Sequence, residues 1–237
     1  MLENRSAPQE HANRVREMFG RIAGRYDLLN HLLSGNVDKR WRQVVAKRVR
    51  EGMSGEALIL DVACGTGDLS LSLFESTGAR VIGTDFCRPM LSIAAGKLPH
   101  QITLVEGDAL SLPFKEGTFD VVTIAFGLRN LSDISSGLKE LRRILKPQGR
   151  VAVLEFSRPS NSVLRMLFGI YFRNLLPLLG GIISGSRSAY TYLTSSVAQF
   201  PDQQQLAVLI EQAGFDRVSY ENLTGGIAAL HLGRRSE

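Results

Sequence analysis

A chain of 237 residues with 44% hydrophobic and 7% aromatic content can bury one large core with an appended element, and is too short for two full domains. Its net charge of +5 suits an ordinary solvated surface and is compatible with resting on an anionic membrane, while no basic-aromatic stripe supports nucleic-acid binding. The start Met1-Leu2-Glu3-Asn4-Arg5 lacks an apolar signal core, no charge-free run is long enough to span a bilayer, and Cys64 and Cys87 lack metal-type spacing, so a cytoplasmic chain with reduced thiols and no metal is expected.

Residues 8–51 read as helical. Val15, Met18, Phe19, Ile22 and Tyr26 recur at three- and four-residue steps and make one apolar face. Ser34-Gly35-Asn36 breaks the pattern, and a second helix carries Trp41, Val44, Val45 and Val49 among basic residues. Two roles fit this pair. Position alone favours packing on a sheet edge; the polar Tyr26, Asp27 and Asn30 near the bend suit a lid over a ligand.

From residue 57 strands and helices alternate. Strands are expected at 57–62, 79–84, 101–105, 119–126 and 150–156, with helices at about 88–98 and 132–145, the latter stopped by Lys146-Pro147-Gln148-Gly149. That order gives an α/β, Rossmann-like, doubly wound parallel sheet, whose ligands bind beyond the carboxyl ends of the strands. Asp61, Asp85, Asp108, the run Phe126-Gly127-Leu128-Arg129-Asn130 and Glu155 all fall at such ends. Residues 162–185 are strongly apolar but carry arginines and a proline, which suits either a buried helix with a loop or an interfacial wall for a lipid-like substrate. A helix at about 202–213 precedes strands at 218–223 and 227–232, joined as a hairpin by Thr224-Gly225-Gly226. A parallel sheet of seven strands closed by such a hairpin is the arrangement of class I methyltransferases.

The most informative stretch is Asp61-Val62-Ala63-Cys64-Gly65-Thr66-Gly67-Asp68, where a strand ends in an acid, turns through two glycines and enters a helix. Glycines there let a ligand approach the backbone, and Asp85 at the end of the next strand is placed to grip both hydroxyls of a ribose. Asp61 and Asp68 flank the turn. They would repel a pyrophosphate and attract an ammonium or sulfonium, so S-adenosylmethionine fits and NAD fits poorly.

The chain resembles the UbiE/MenG family of quinone-biosynthesis C-methyltransferases over nearly its whole length. The resemblance is carried by Tyr26-Asp27-Leu28-Leu29-Asn30 with Trp41, the glycine turn, Phe126-Gly127-Leu128-Arg129-Asn130, Leu154-Glu155-Phe156-Ser157, Tyr190-Thr191-Tyr192-Leu193, and Leu223-Thr224-Gly225-Gly226-Ile227 with His231. It implies methyl transfer from S-adenosylmethionine to a ring carbon of a reduced isoprenoid quinone, most simply demethylmenaquinol; the ubiquinone-pathway benzoquinol or another lipid-like acceptor is the alternative. It also implies a helical lid over 1–51, a methyltransferase domain over 52–237 with a substrate-side insertion at about 158–200, and peripheral contact with the inner face of the membrane. A homodimer is left open. The expected cofactor set is Asp61, Ala63, Gly65, Thr66, Gly67, Asp85, Phe86, Asp108, Ala109 and Ala125, the last standing where the family often has a serine. Arg129 is expected to stabilise a phenolate, with Tyr26, Asp27, Asn30, Tyr190 and His231 as candidates to orient or deprotonate the ring; for His231, in an apolar strand, a structural role is preferred.

Overall fold

The computed structural model describes residues 6–53, 56–172 and 187–237, the side chains of 6–8 and 187–190 excepted. Two helices open the chain, α1 (Ser6–Leu33) and α2 (Val37–Glu51). Val15, Ile22 and Leu29, one heptad apart, are buried, so a single stripe of the long α1 faces the protein. The break falls as expected: Gly35 and Asn36 both take left-handed backbone, at φ 60 and φ 64, which continues no helix. In α2, Trp41, Val45 and Val49 point inward at four-residue steps, packing α2 on α3 (Asp68–Thr77).

One sheet holds β1 (Leu58–Val62), β2 (Arg80–Asp85), β3 (Thr103–Glu106), β4 (Phe119–Ala125), β5 (Leu145–Phe156), β6 (Phe215–Leu223) and β7 (Ala228–Arg235). Their order is β3-β2-β1-β4-β5-β7-β6. The first five are parallel, and β7 runs antiparallel between β5 and β6. Successive strand residues face opposite layers. Ile59, Val121, Ala152 and Leu154 join a core with α2, α3 and α4 (Arg88–Lys97). Leu60, Val122, Val151 and Val153 join a second core with α5 (Ile134–Ile144) and a late helix (Gln203–Gln212). The chain winds outward from β1 to β3, then crosses back to β4 beside β1. Both halves diverge from that point, which opens a crevice at the carboxyl ends of β1 and β4.

The helix α5 ends at Ile144, within a residue of the expected stop before Lys146, but β5 starts earlier than expected: Leu145 already pairs with Phe119, and Lys146-Pro147-Gln148-Gly149 bulges out before Arg150 pairs with Val121. Lys146 Nζ closes the bulge on Asp120, 2.9 Å from each carboxylate oxygen. The buried-helix reading of residues 162–185 fails over α6 (Ser162–Ile170), although Phe172 just beyond it is buried against Phe156 and Phe168. That helix buries no residue, and Val163, Met166, Leu167 and Ile170 are all more than half exposed. Residues 173–186 of that segment lie outside the described residues. The helix α7 (Arg187–Gln199) follows, then α8 (Gln203–Gln212), whose Asp202 and Gln205 form a reciprocal capping box.

Candidate active site

The turn after β1 is built from left-handed residues: Ala63 at φ 51, Gly65 at φ 57 and Gly67 at φ 87. A Cβ at Gly65 would meet no protein atom within 4 Å, so that space is left to a ligand. At Gly67 a Cβ would stand 2.6 Å from Leu98 Cδ1, so this glycine serves the packing of α3 rather than the cleft. The tips of β1 and β4 nearly touch. Phe126 is left-handed at φ 57, and a Cβ on Gly127 would lie 2.5 Å from that of Ala63.

A cleft opens at these tips. Seven of the ten expected cofactor residues line it: Ala63, Gly65, Asp85, Phe86, Asp108, Ala109 and Ala125. Asp61 and Thr66 line a smaller recess beside the turn, shared with Gly65 and Ala125. Asp85 is 6% exposed; its Oδ2 accepts from Gly65 N and its Oδ1 from Cys87 N, each at 2.8 Å. Burial pushes its carboxyl up, against those backbone hydrogen bonds. Each oxygen keeps a lone pair, which suits the two hydroxyls of a ribose. Asp108 turns its own loop by accepting from Leu110 N at 2.9 Å. Ala125 offers only a methyl and so brings no side-chain hydrogen bond.

The acids flanking the turn are less bare than the sequence suggests. Asp61 is 1% exposed and accepts from Ser70 Oγ at 2.6 Å and Thr123 Oγ1 at 2.9 Å; burial pushes its carboxyl up to about 6. Asp68 lies 2.7 Å from Lys97 Nζ, and although burial pushes its carboxyl up, Arg42 and Lys97 hold it below the ordinary value. Cys64 and Cys87 are free thiols; burial lifts Cys64 well above its ordinary range, which disarms it as a nucleophile.

The long helix α1 covers this cleft. His11, Ala12, Phe19 and Tyr26, on one face of α1, form its opposite wall. Tyr26 borders the cleft, the small recess and a third chamber holding Asn30, Arg129, Asn130 and Tyr192. Burial raises its phenol above the ordinary value, while Arg129 and Arg42 and a hydrogen bond with Asn30 pull the other way. Asp27 faces elsewhere. It accepts from Thr66 Oγ1 at 2.5 Å and from Lys97 Nζ at 2.9 Å, latching α1 to the turn, and so is not turned toward the ring chamber.

Arg129, 5% exposed, is held by Glu155, 1% exposed: its Nη1 lies 2.9 and 3.1 Å from the two carboxylate oxygens and donates to Phe126 O at 2.6 Å. Its Nε is buried with no partner among the described residues. His231 sits in β7 opposite Val153 and Tyr220, and its Nε2 meets Gln203 O at 2.7 Å. That places it on the α8 side of the sheet, away from the cleft, and burial lowers its affinity for a proton. The side chain of Tyr190 lies outside the described residues.

Several site residues were not singled out from the sequence. Tyr192 donates to Asn130 Oδ1 at 3.2 Å in the ring chamber, and burial raises its phenol. His11 Nε2 lies 3.1 Å from Asn130 O. Arg42 reaches the recess from α2. Asn130 and Tyr192 stood inside the quoted motifs; nothing in the sequence marks His11 or Arg42 among many polar helix residues. Asn30 also borders an apolar chamber, walled by Leu33, Trp41, Phe156, Phe168, Phe172 and Leu193 among others. Trp41 Nε1 donates to Thr224 Oγ1 at 2.9 Å, which fixes the indole in that wall.

The model of the ubiE/COQ5 methyltransferase family matches residues 7–235. A demethylmenaquinone methyltransferase of Thermus thermophilus is 48% identical over 222 residues, spanning 92% of this chain and all of that protein. One of Staphylococcus saprophyticus is 41% identical over 237 residues, spanning 98% of this chain and 99% of that protein. The ubiquinone/menaquinone biosynthesis C-methyltransferase of Geotalea uraniireducens is 40% identical, spanning 95% of this chain and 98% of that one. Among solved structures, a SAM-dependent methyltransferase of Thermotoga maritima superposes with TM-score 0.65 at 19% identity, over 93% of this chain and 99% of that one. The [4+2]-cyclase SpnF superposes with TM-score 0.67 at 18% identity, over 94% and 95%. The structural likenesses bear on the fold alone.

Proposed function

The chain belongs to the ubiE/COQ5 methyltransferase family, and from that premise we propose that it methylates a ring carbon of demethylmenaquinol to give menaquinol, with S-adenosylmethionine as methyl donor. The observation that carries this reading is the order of three neighbouring pockets: the cleft under Asp85 shares Tyr26 with the polar chamber of Arg129, and that chamber shares Asn30 with the apolar one. A cofactor, a dihydroxy ring and a prenyl tail need those three environments in that order.

When bound, S-adenosylmethionine supplies an electrophilic methyl, which needs a carbon nucleophile held in line. A quinol ring carbon becomes one when a neighbouring hydroxyl ionises. Arginine stays charged and is a poor base, so Arg129 acts by its field, stabilising the phenolate from a position that Glu155 and Phe126 O hold rigid. Tyr26, kept protonated by burial, acts as a hydroxyl donor to a ring oxygen, while Tyr192, whose proton goes to Asn130 Oδ1, lines the same chamber. Asn30 and Asn130 orient the two tyrosines. Asp85 binds the ribose hydroxyls and Asp108-Ala109 the adenine end. The helices α1 and α2 act as a lid, with Asp27 as its latch.

Among the described residues no helix is long and apolar enough to cross a membrane. A peripheral contact through α6 accounts for its exposed Val163, Met166, Leu167 and Ile170, since the same helix lends Phe168 to the wall of the apolar chamber. The test is transfer of labelled methyl from S-adenosylmethionine to chemically reduced acceptors. Prenylated demethylnaphthoquinol should be methylated and its oxidised quinone should not. Methylation of a benzoquinol in preference, or of neither, would overturn the proposal.

A further inference from the structure

Arg42 lies on α2, outside the sheet and its crossover helices, yet it lines the recess at the glycine turn beside Asp61, Gly65 and Thr66. Its side chain is only 11% exposed. Nη1 donates to Asp38 Oδ2 at 2.5 Å and stands 4.0 Å from Asp68 Oδ2. Among the described residues its Nε and Nη2 have no acceptor. A guanidinium offers five N–H donors, and this one turns most of its fork to no described protein acceptor, which leaves those donors available to an incoming anion.

The acids nearby are already engaged. Asp38 accepts from Ser34 Oγ at 2.7 Å and meets His31 Nδ1 at 2.9 Å. Asp61 is held by Ser70 and Thr123, and Asp68 by Lys97. One face of Arg42 rests over the Phe126 ring, 5.6 Å from its centroid, which fixes the plane of the fork. The recess therefore presents a preset, partly unsatisfied cation on one wall and a buried carboxyl, Asp61, on another. Those are the complements of a zwitterionic amino acid.

Resting on the cofactor reading above, we propose that Arg42 binds the α-carboxylate of the methionine portion of S-adenosylmethionine. The ammonium of the same portion is then left to the Asp61 side of the recess. Cofactor binding on this basis bridges α2 and the glycine turn, so the N-terminal helices are part of the cofactor site as well as its cover. Asp38 is a positioning residue: it holds one arm of the fork and leaves the others free.

Three ligands separate the contributions by calorimetry. S-adenosylhomocysteine carries both charges of the amino acid, S-adenosyl-3-thiopropylamine lacks only the carboxylate, and 5′-methylthioadenosine lacks both. The wild-type protein should prefer the first over the second by about 10- to 100-fold, as for a charge-assisted, partly buried contact. In Arg42→Gln that preference should fall to within about threefold of unity, with 5′-methylthioadenosine binding unchanged within about twofold. Arg42→Lys should retain part of the preference, because a point charge replaces the fork. An Arg42→Gln protein that keeps the full preference overturns the proposal. So does one that loses all three ligands together, since Arg42 would then be shaping the site rather than binding the carboxylate. Failure of the wild-type protein to bind S-adenosylhomocysteine sinks the cofactor reading instead, which is a separate outcome.

Discussion

The pair Arg129–Glu155 offers the sharpest quantitative test, because structure and chemistry make different demands on it. Glu155 accepts from Arg129 Nη1 with both oxygens, from Arg129 N at 3.2 Å and from Phe156 N at 3.1 Å, all at 1% exposure. Replacing it by Leu strands a buried cation, at about 3–5 kcal/mol, and strips acceptors from two backbone N–H groups, at roughly 1 kcal/mol or more each. The expected loss is about 5–7 kcal/mol. For a chain of this length that lowers the melting temperature by roughly 10–28 °C. Arg129→Met should cost somewhat less, since a stranded carboxyl can take up a proton. In Arg129→Met/Glu155→Leu no charge is left uncompensated, so the double variant should be more stable than Glu155→Leu by at least about 2 kcal/mol. Turnover should move the other way: the double variant should bind cofactor yet stay at least about 100-fold slower than wild type. Urea denaturation followed by circular dichroism, with equal slopes checked across the set, supplies the free energies. A Glu155→Leu protein within about 1 kcal/mol of wild type, or a double variant less stable than it, would refute the ion-pair reasoning. Full activity in the double variant would remove Arg129 from the chemistry.

Asp61 predicts a pH dependence. Its carboxyl titrates near 6 in the folded chain against 3.8 for the unperturbed group, so the folded state holds the extra proton between those values. Its contribution therefore declines as pH rises from about 4 to about 6, by about 3 kcal/mol in all. In Asp61→Asn that slope should vanish, as read from urea midpoints at pH 4.5 and 7; an unchanged slope would show that other groups set it. Asp27→Ala cuts the latch to Thr66 and Lys97, and should weaken S-adenosylhomocysteine binding about 5- to 30-fold while speeding proteolysis within α1; unaltered affinity would mean that α1 holds its place without it. Replacing Met166 and Leu167 by Glu on the exposed face of α6 should abolish co-sedimentation with anionic vesicles and leave methylation of a detergent-dispersed acceptor intact; undiminished co-sedimentation would clear α6 of that role.

What the sequence determined by itself was local and periodic. The heptad stripe of α1, the stop at Gly35-Asn36, the strand–acid–glycine turn after β1 and the acid Asp85 at the end of β2 are each readable because backbone preference and side-chain period act over a few neighbours. Element ends were blurred where pairing overrode local signals, as at Lys146–Gly149, which a proline and a glycine mark as a stop and the β4 register turns into a bulge. The roles of polar side chains were decided by the tertiary structure. Asp27 and Tyr26 are adjacent on one helix, yet the phase of α1 against the sheet sends one to the glycine turn and the other to the junction of three chambers. His231 shares its sheet with the site strands but lies opposite Val153, on the far face. Arg42 is one of six basic residues in α2, and only the packing of that helix on α3 brings it to the recess. A sequence fixes which groups are present and at what spacing along one element; which of them meet depends on rotations and registers between elements, and those are set by the whole core at once.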